Sequence, residues 1–546
     1  MERHTAVDSF ARDNLPPRGT WPDFIFSRPE LHYPARLNCV SVLLDRWVEA
    51  GQTDQPCLIA PGMAWSYAQT QAWVNRICNV LVGSLDLVPG QRVLLRSANN
   101  PMMVACYLAI MKAGGIVVAT MPMLRARELA YPIAKARIEL ALCDVRLVDE
   151  LQSARALAPS LTRIVCFNST AEDGLERLCD AVSASFTPCD TSADDVCLIG
   201  FTSGTTGEPK GTMHFHRDVL AVCDAYAKNV LQPNSGDRFI GSPPLAFTFG
   251  LGGLVLFPLY AGASTVLLER AGADELLVAI PQYRPTICFT APTAYRSMLA
   301  KPDGVDLSSL RRCVSAGEQL PKATYQAWLT ATGLQLMDGI GSTEMLHIFI
   351  AARPEDIRPG ATGKPVPGYE AKIIDQAGVE VPDGTVGRLA VRGPTGCRYL
   401  GDARQAVYVQ NGWNVTGDSY LRDRDGYFWY QARNDDMIIS AGYNIAGPEI
   451  EDVLLMHQAV AECAVIGVPD AERGAVVKAC VVLKPGHPAD AATIQMLQNF
   501  VKATIAPYKS PRIIQFMSEL PKTATGKIQR YRLRQETSPL TPTPRP

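Results

Sequence analysis

The chain is 546 residues long and nearly balanced in charge, with 52 Lys+Arg against 54 Asp+Glu, so it carries no electrostatic footprint for nucleic acid. That length exceeds what a single hydrophobic core supports, and two or more domains are expected. Its 15 cysteines include no CxxC pair and its 7 histidines no metal-ligand spacing, which argues against a disulfide framework or a zinc site and for a reducing, cytoplasmic setting.

The N-terminus, Met1-Glu2-Arg3-His4, lacks the apolar run of a signal peptide. Apolar spacing predicts an amphipathic helix over 73–82, a Pro89-Gly90 turn and a strand at 92–95. A helix over 102–112, closed by Gly114-Gly115, and a strand at 116–120 follow. That alternation is a βαβ unit and implies a parallel sheet covered by helices. Val196-Cys197-Leu198-Ile199-Gly200 reads as a short buried strand, and Val219, Val222, Tyr226 and Val230 recur at helical spacing. Residues 241–268 carry no charge and imitate a membrane span, but Pro243, Pro244, Gly250, Gly252, Gly253, Pro258 and Gly262 break it. Core strand and helix beside the site are expected there, and no membrane insertion. From about residue 435 the elements shorten. A helix near 449–456, strands near 461–467 and 476–483, a helix near 491–503 and a strand near 513–516 make a compact α+β unit. The Pro- and Thr-rich residues 537–546 read as a disordered tail.

The chemistry-bearing residues fall in a few places. Phe201-Thr202-Ser203-Gly204-Thr205-Thr206-Gly207-Glu208-Pro209-Lys210-Gly211 packs four hydroxyls, three glycines and one lysine into eleven residues. A turn of this kind between strand and helix offers N–H and O–H donors to a polyphosphate; glycine permits close approach, and Lys210 adds a point charge. It is not a GxxxxGK[ST] loop. Asp338-Gly339-Ile340-Gly341-Ser342-Thr343-Glu344 sets a carboxylate beside a threonine in a glycine-rich turn, which suits Mg2+ bridging phosphates. Thr416-Gly417-Asp418 is followed by Ala432-Arg433-Asn434-Asp435-Asp436 and Gly442-Tyr443-Asn444. Pro521-Lys522-Thr523-Ala524-Thr525-Gly526-Lys527 lies close to the C-terminus.

In this order and spacing the motifs resemble the adenylate-forming superfamily: acyl- and aryl-CoA synthetases, firefly-type luciferases and peptide-synthetase adenylation domains. The resemblance runs from about residue 30 to about residue 530. It implies an α/β fold with a large N-terminal domain of helix-covered sheets, residues 1–433, binding ATP and the acid. It also implies a small mobile α+β C-terminal domain, residues 434–546, carrying the catalytic lysine. ATP, Mg2+ and CoA are the implied cofactors, an aromatic carboxylic acid the substrate, and a monomer or homodimer the form. By resemblance, Thr202, Ser203, Gly204, Thr205, Thr206, Gly207 and Lys210 hold the β- and γ-phosphates, Thr343 contacts the α-phosphate, and Glu344 binds Mg2+. Gly317, Glu318, Gln319, Asp338 and Gly339 border the adenine; Asp418 takes the ribose hydroxyls and Arg433 supports ribose or phosphate. Lys527 bridges the carboxylate and the α-phosphate during adenylation, while Lys522 reads as solvated. For thioester formation the C-terminal domain swings about a hinge at Asp435 and brings the loop around Gly442 and Tyr443 alongside the pantetheine channel. Asn434 to Asp436 reads equally as a simple turn.

For the acid, Ile340-Gly341-Ser342 stands where acetyl-CoA synthetases close the pocket with tryptophan, which leaves room for a planar ring. The run from Gly339 to Phe349 resembles benzoate-CoA ligases, as does Ala246-Phe247-Thr248-Phe249-Gly250-Leu251-Gly252, which departs from their pattern at Thr248 and Phe249. Asp8-Ser9-Phe10-Ala11-Arg12-Asp13-Asn14-Leu15-Pro16-Pro17 resembles ligases of 2-aminobenzoate. Thr248 and His347 are therefore expected to hydrogen-bond an ortho amino group, or else to satisfy backbone groups. Benzoate or hydroxybenzoate, and loading of a carrier protein in place of CoA, stay open. The x-x-Ser-x-Gly runs at Ser315 and Ser440 lack the leading glycine of a hydrolase elbow.

Overall fold

A computed structural model describes residues 6–202, 208–300, 304–433, 436–440, 443–470, 474–505, 507–522 and 528–535. The predicted βαβ unit is the centre of a six-stranded sheet, in the order Arg163–Phe167, Leu140–Asp144, Arg92–Arg96, Ile116–Thr120, Val196–Thr202, Lys210–Phe215. Arg92 pairs in parallel with Ile116, and Val117 with Leu198. The intervening helix, Pro101–Lys112, is buried on every face, as a helix must be when apolar side chains surround it. Asn100 starts it, its side chain accepting from Met103 N at 2.9 Å, and Pro101 holds the first position, where no N–H is needed. The helix predicted over 73–82 begins earlier, at Tyr67, because Ser66 and Gln69 form a reciprocal capping box; it continues as a π-helical turn over Val80–Ser84.

A nine-stranded sheet is parallel across its middle, Leu336–Gly341, Arg312–Ala316, Ile287–Thr290, Arg238–Gly241, Ser264–Val266 and Pro56–Ala60, with antiparallel strands at both edges. The uncharged stretch 241–268 forms its strand Ser264–Val266 and the helical turns Thr248–Leu251, Gly252–Leu256 and Phe257–Ala261, almost all buried. Among the described residues no helix is long and apolar enough to cross a membrane. A five-stranded antiparallel sheet, with Glu370–Ile374, Val386–Arg392, Trp413–Arg422, Val409–Gln410 and Phe428–Arg433, completes the large body. The small C-terminal domain holds the three-stranded sheet Val460–Asp470, Gly474–Leu483, Ile513–Phe516 and the helices Gly447–Met456 and Ala491–Thr504 over its own core. The proline-rich tail lies outside the described residues.

One local expectation is corrected. The hydroxyl-rich loop does not lead from a strand into a helix: Lys210–Phe215 returns as a second strand, Thr202 pairing with Lys210, and the helix starts only at His216. Gly211, Thr212, Met213, His214 and Phe215 are all buried, and a run buried on both faces is stable as a strand inside a sheet. The two strands that flank residues 203–207 thus form an antiparallel hairpin, and the helix follows only after the second strand. The outer edge of Lys210–Phe215 is covered in turn by an irregular segment, with Met213 N donating to Arg398 O and Leu400 N to Gly211 O, both at 2.8 Å.

Candidate active site

The hairpin and the turn after Leu336–Gly341 meet at Lys210, Thr343 and Glu344. Lys210 Nζ lies 3.9 Å from Glu344 Oε1 and 4.8 Å from the centre of the Tyr399 ring. Tyr399 donates its hydroxyl to the same Glu344 oxygen at 2.6 Å. Burial, and then the Glu344 charge, push the Tyr399 phenol far above its ordinary pKa, so it remains a donor. Thr343 is held from behind, its carbonyl accepting from His214 Nε2 at 2.8 Å. His214 in turn faces Asp218, which forms a buried ion pair with Arg398. Burial raises the Asp218 carboxyl, but Arg398 and His214 outweigh it and hold the carboxyl below its usual range.

The turn itself is tightly specified. A Cβ on Gly200 would lie 2.8 Å from Thr343 Cγ2 and 4.0 Å from Thr248 Cγ2, so Gly200, Thr248 and Thr343 share one spot. A Cβ on Gly341 would sit 2.7 Å from the His347 carbonyl. Leu346 adopts a φ of +69°, a left-handed conformation that costs a bulky residue about 1–2 kcal/mol. Such strain concentrates where a structure must aim its neighbours, here Thr343 on one side and His347 on the other.

His347 is buried among Tyr226, Phe249, Phe257 and Phe289, with ring centres 4.6–6.5 Å away. Among the described residues neither ring nitrogen has a hydrogen-bond partner of good geometry, the Phe249 main chain being the one polar group that acts on the ring. Burial lowers its pKa to about 3, the Phe249 main chain offsetting only part of this, so the ring is neutral. Phe247 opens the helical turn Thr248–Leu251, accepting from Leu251 N at 2.8 Å.

At the predicted adenine edge, Gly317 has a φ of +90° and Glu318 accepts from Thr293 Oγ1 at 2.5 Å. Asp338 is buried, and among the described residues its Oδ1 has no partner; burial pushes its carboxyl well above the carboxylate range, against a weaker pull from Gly339 N–H. A side chain on Gly339 would press on Ile348, with its Cβ 2.9 Å from Ile348 Cγ2. Asp418 and Arg433 face each other across paired strands, 3.4 Å apart. Gln319 reaches the C-terminal domain, its Nε2 lying 3.4 Å from Asp452 Oδ2. Lys522 is not simply solvated as expected: it forms an ion pair of 2.7 Å with Glu462 of the strand Val460–Asp470. Ser203, Gly204, Thr205, Thr206, Gly207, Asp435, Gly442 and Lys527 lie outside the described residues, and of Tyr443 only the backbone, in the strand Tyr443–Ile445, is described. A groove of 1230 Å³ lined by Trp65, Asn100, Arg146 and Glu269 includes none of the predicted site residues.

Tyr399, Arg398, His214, Asp218 and Asp452 carry no motif of their own. They reach the site through the covered hairpin edge and the packing of the two domains.

The AMP-binding enzyme family model matches residues 44–399, and the AMP-binding enzyme C-terminal domain model residues 449–527. The chain belongs to the AMP-binding enzyme family. Among family members, benzoate–CoA ligase of Thauera aromatica is 36% identical over 93% of this chain and 97% of its own length. 3-Hydroxybenzoate–CoA ligase of Aromatoleum sp. (strain CIB) is 31% identical over 91% of this chain and 97% of its own. The crystal structure of the anthranilate CoA ligase AuaEII in complex with anthranoyl-AMP superposes with a TM-score of 0.89 at 37% identity, covering 93% of this chain and 99% of that one. The family fold expected from the motifs is the fold observed.

Proposed function

We propose that this AMP-binding enzyme is an ATP-dependent aryl-CoA ligase whose preferred acid is 2-aminobenzoate. The observation carrying the reading is the neutral His347, without a well-formed hydrogen bond among the described residues, within an aromatic enclosure directly after the Thr343-Glu344 turn. A flat ring packs well against such walls, and a neutral imidazole nitrogen accepts from an amino group on it. The likeness to ligases of benzoate, 3-hydroxybenzoate and anthranilate supports the same substrate class.

In this reading the acid's carboxylate attacks the α-phosphate of ATP, giving aryl-AMP and pyrophosphate; the CoA thiol then displaces AMP. Charge builds on the phosphates, so donors fixed there supply most of the rate. Lys210 and the hairpin loop hold the β- and γ-phosphates, Thr343 the α-phosphate, and Asp418 with Arg433 the ribose. Glu344 offers an oxygen ligand of the kind Mg2+ prefers beside phosphate, and it would hold that ion, which when bound neutralises phosphate charge. Lys527 stabilises the adenylation transition state, and Asp435 is the hinge about which the C-terminal domain withdraws it.

The test is mass spectrometry of products from enzyme, ATP, Mg2+, CoA and a pool of aryl and alkyl acids. 2-Aminobenzoyl-CoA should dominate. An alkyl-CoA as the main product would sink the aryl reading, benzoyl-CoA the amino preference, and aryl-AMP without thioester the choice of CoA as acceptor. Lys527→Ala should lose adenylation by a factor of several hundred, as removal of one electrostatic donor does, while sparing thioester formation from supplied aryl-AMP. Equal loss in both half-reactions would remove Lys527 from its role.

A further inference from the structure

Behind the hairpin, three side chains from distant parts of the chain converge. Cys39 lies just before the helical turn Ser41–Asp45, Cys197 in the strand Val196–Thr202, and His216 at the start of the helix His216–Val222. Their ligand atoms all lie within 4.8 Å of one another, with His216 Nδ1 3.2 Å from Cys39 Sγ. Cys39 and Cys197 are fully buried, and His216 is 1% exposed. The His214 carbonyl sits 3.7 Å from Cys197 Sγ. Around a tetrahedral ion bound at about 2.0–2.3 Å, ligand atoms are spaced by about 3.3–3.8 Å, so only small shifts separate this cluster from a coordination shell. None of the three residues has a part in the proposed ligase chemistry.

We propose that Cys39, Cys197 and His216 form a buried site for one thiophilic divalent cation, Zn2+ above all. Two sulfurs and one imidazole are a soft donor set of the kind Zn2+ takes, and the fourth position falls to the His214 carbonyl or a water. The charge balance favours a divalent ion. Two thiolates, a neutral imidazole and Zn2+ sum to zero, which a low-dielectric interior accepts far more readily than a lone thiolate. Without metal the two thiols are unequal. Burial raises Cys39, but the Cys197 thiol and His216 outweigh it and leave Cys39 below the ordinary thiol range, while burial and Cys39 push Cys197 well above it. On binding, two Zn–S bonds and one Zn–N bond form, and each proton still held on sulfur leaves to solvent. Nδ1 gives up the weak 3.3 Å hydrogen bond it accepts from Cys39 N. An ion here would fasten the base of the hairpin to the helical turn Ser41–Asp45.

The experiment uses the full chain, stripped with a chelator under reducing conditions, without nucleotide, and titrated with Co2+ as the spectroscopic probe. One equivalent should bind with a thiolate-to-cobalt charge-transfer absorption, be displaced by Zn2+, and be lost in Cys39→Ala and Cys197→Ala. No uptake, uptake without that absorption, or equal uptake by the two variants would overturn the site and leave an adventitious ion only. Should the variants fail to fold, X-ray absorption at the zinc edge of the wild-type protein decides. Two sulfur neighbours support the site, and nitrogen and oxygen neighbours alone refute it.

Discussion

Glu344 shows how much a single site residue depends on neighbours that no motif announces. Its carboxylate is buried, and it is Tyr399, from an irregular segment 55 residues further on, that donates to it at 2.6 Å while its ring lies beneath Lys210. A hydrogen bond to a charged group contributes about 1.5–3 kcal/mol. Tyr399→Phe should therefore lower kcat/KM for ATP by roughly ten- to a hundredfold, measured as pyrophosphate release, with the unfolding midpoint little changed. A fall confined to the KM of the acid would place Tyr399 elsewhere in the mechanism. Lys210, Thr343 and Glu344 were legible because hydroxyl, glycine and charge recur there in an order that few other chemistries need. Tyr399 was not, since a tyrosine in a coil segment carries no sign of which carboxylate it will meet.

Among elements, the hairpin and the uncharged stretch 241–268 teach different lessons. Period-2 and period-3.6 patterns locate most strands and helices well: Ile116–Thr120 and Ile513–Phe516 lie where the spacing puts them. The strand Lys210–Phe215 escaped because both its faces are buried, which erases the alternation that marks a half-exposed strand. The stretch 241–268 was legible as core because its prolines and glycines forbid a lipid-exposed helix. Its glycines also make room. A Cβ on Gly252 would come within 2.5 Å of His347 Nε2, inside the π-helical turn Gly252–Leu256. Gly252→Ala should destabilise the protein by about 1–3 kcal/mol and displace His347, so urea unfolding and aryl-acid turnover should fall together. Unchanged stability with full turnover would show that the helical turn yields without moving the histidine.

For the whole molecule, the contact between the two domains is the quantity to watch. The helix Gly447–Met456 packs on Lys322–Thr332 of the large body, with Gln319 3.4 Å from Asp452. Burial, and then Glu451 and Glu449, push the Asp452 carboxyl up to about 8. Glu449 and Glu451 share a helix with Asp452 and act in either arrangement, so only the part of the shift due to burial belongs to docking, and that part favours the docked arrangement while the carboxyl is protonated. Docking should therefore weaken as pH rises from about 4 towards about 8, by up to about 1.4 kcal/mol per pH unit, and level off above. Asp452→Asn should remove this dependence, checked by the distance between a fluorophore on each domain from pH 5 to 9. A variant as pH-sensitive as wild type would assign the effect to another group. Sequence alone determined the family and the order of a large domain followed by a small one, because local turn chemistry and hydrophobic period are written in neighbouring positions. Only the tertiary structure decided that Val196–Thr202 and Lys210–Phe215 pair, that Tyr399 meets Glu344 and Arg398 meets Asp218, and that Cys39, Cys197 and His216 come together. Cys39 meets His216 across 177 positions and Arg398 meets Asp218 across 180, and such distant pairs are chosen by close packing of whole sheets and helices, which no local pattern records.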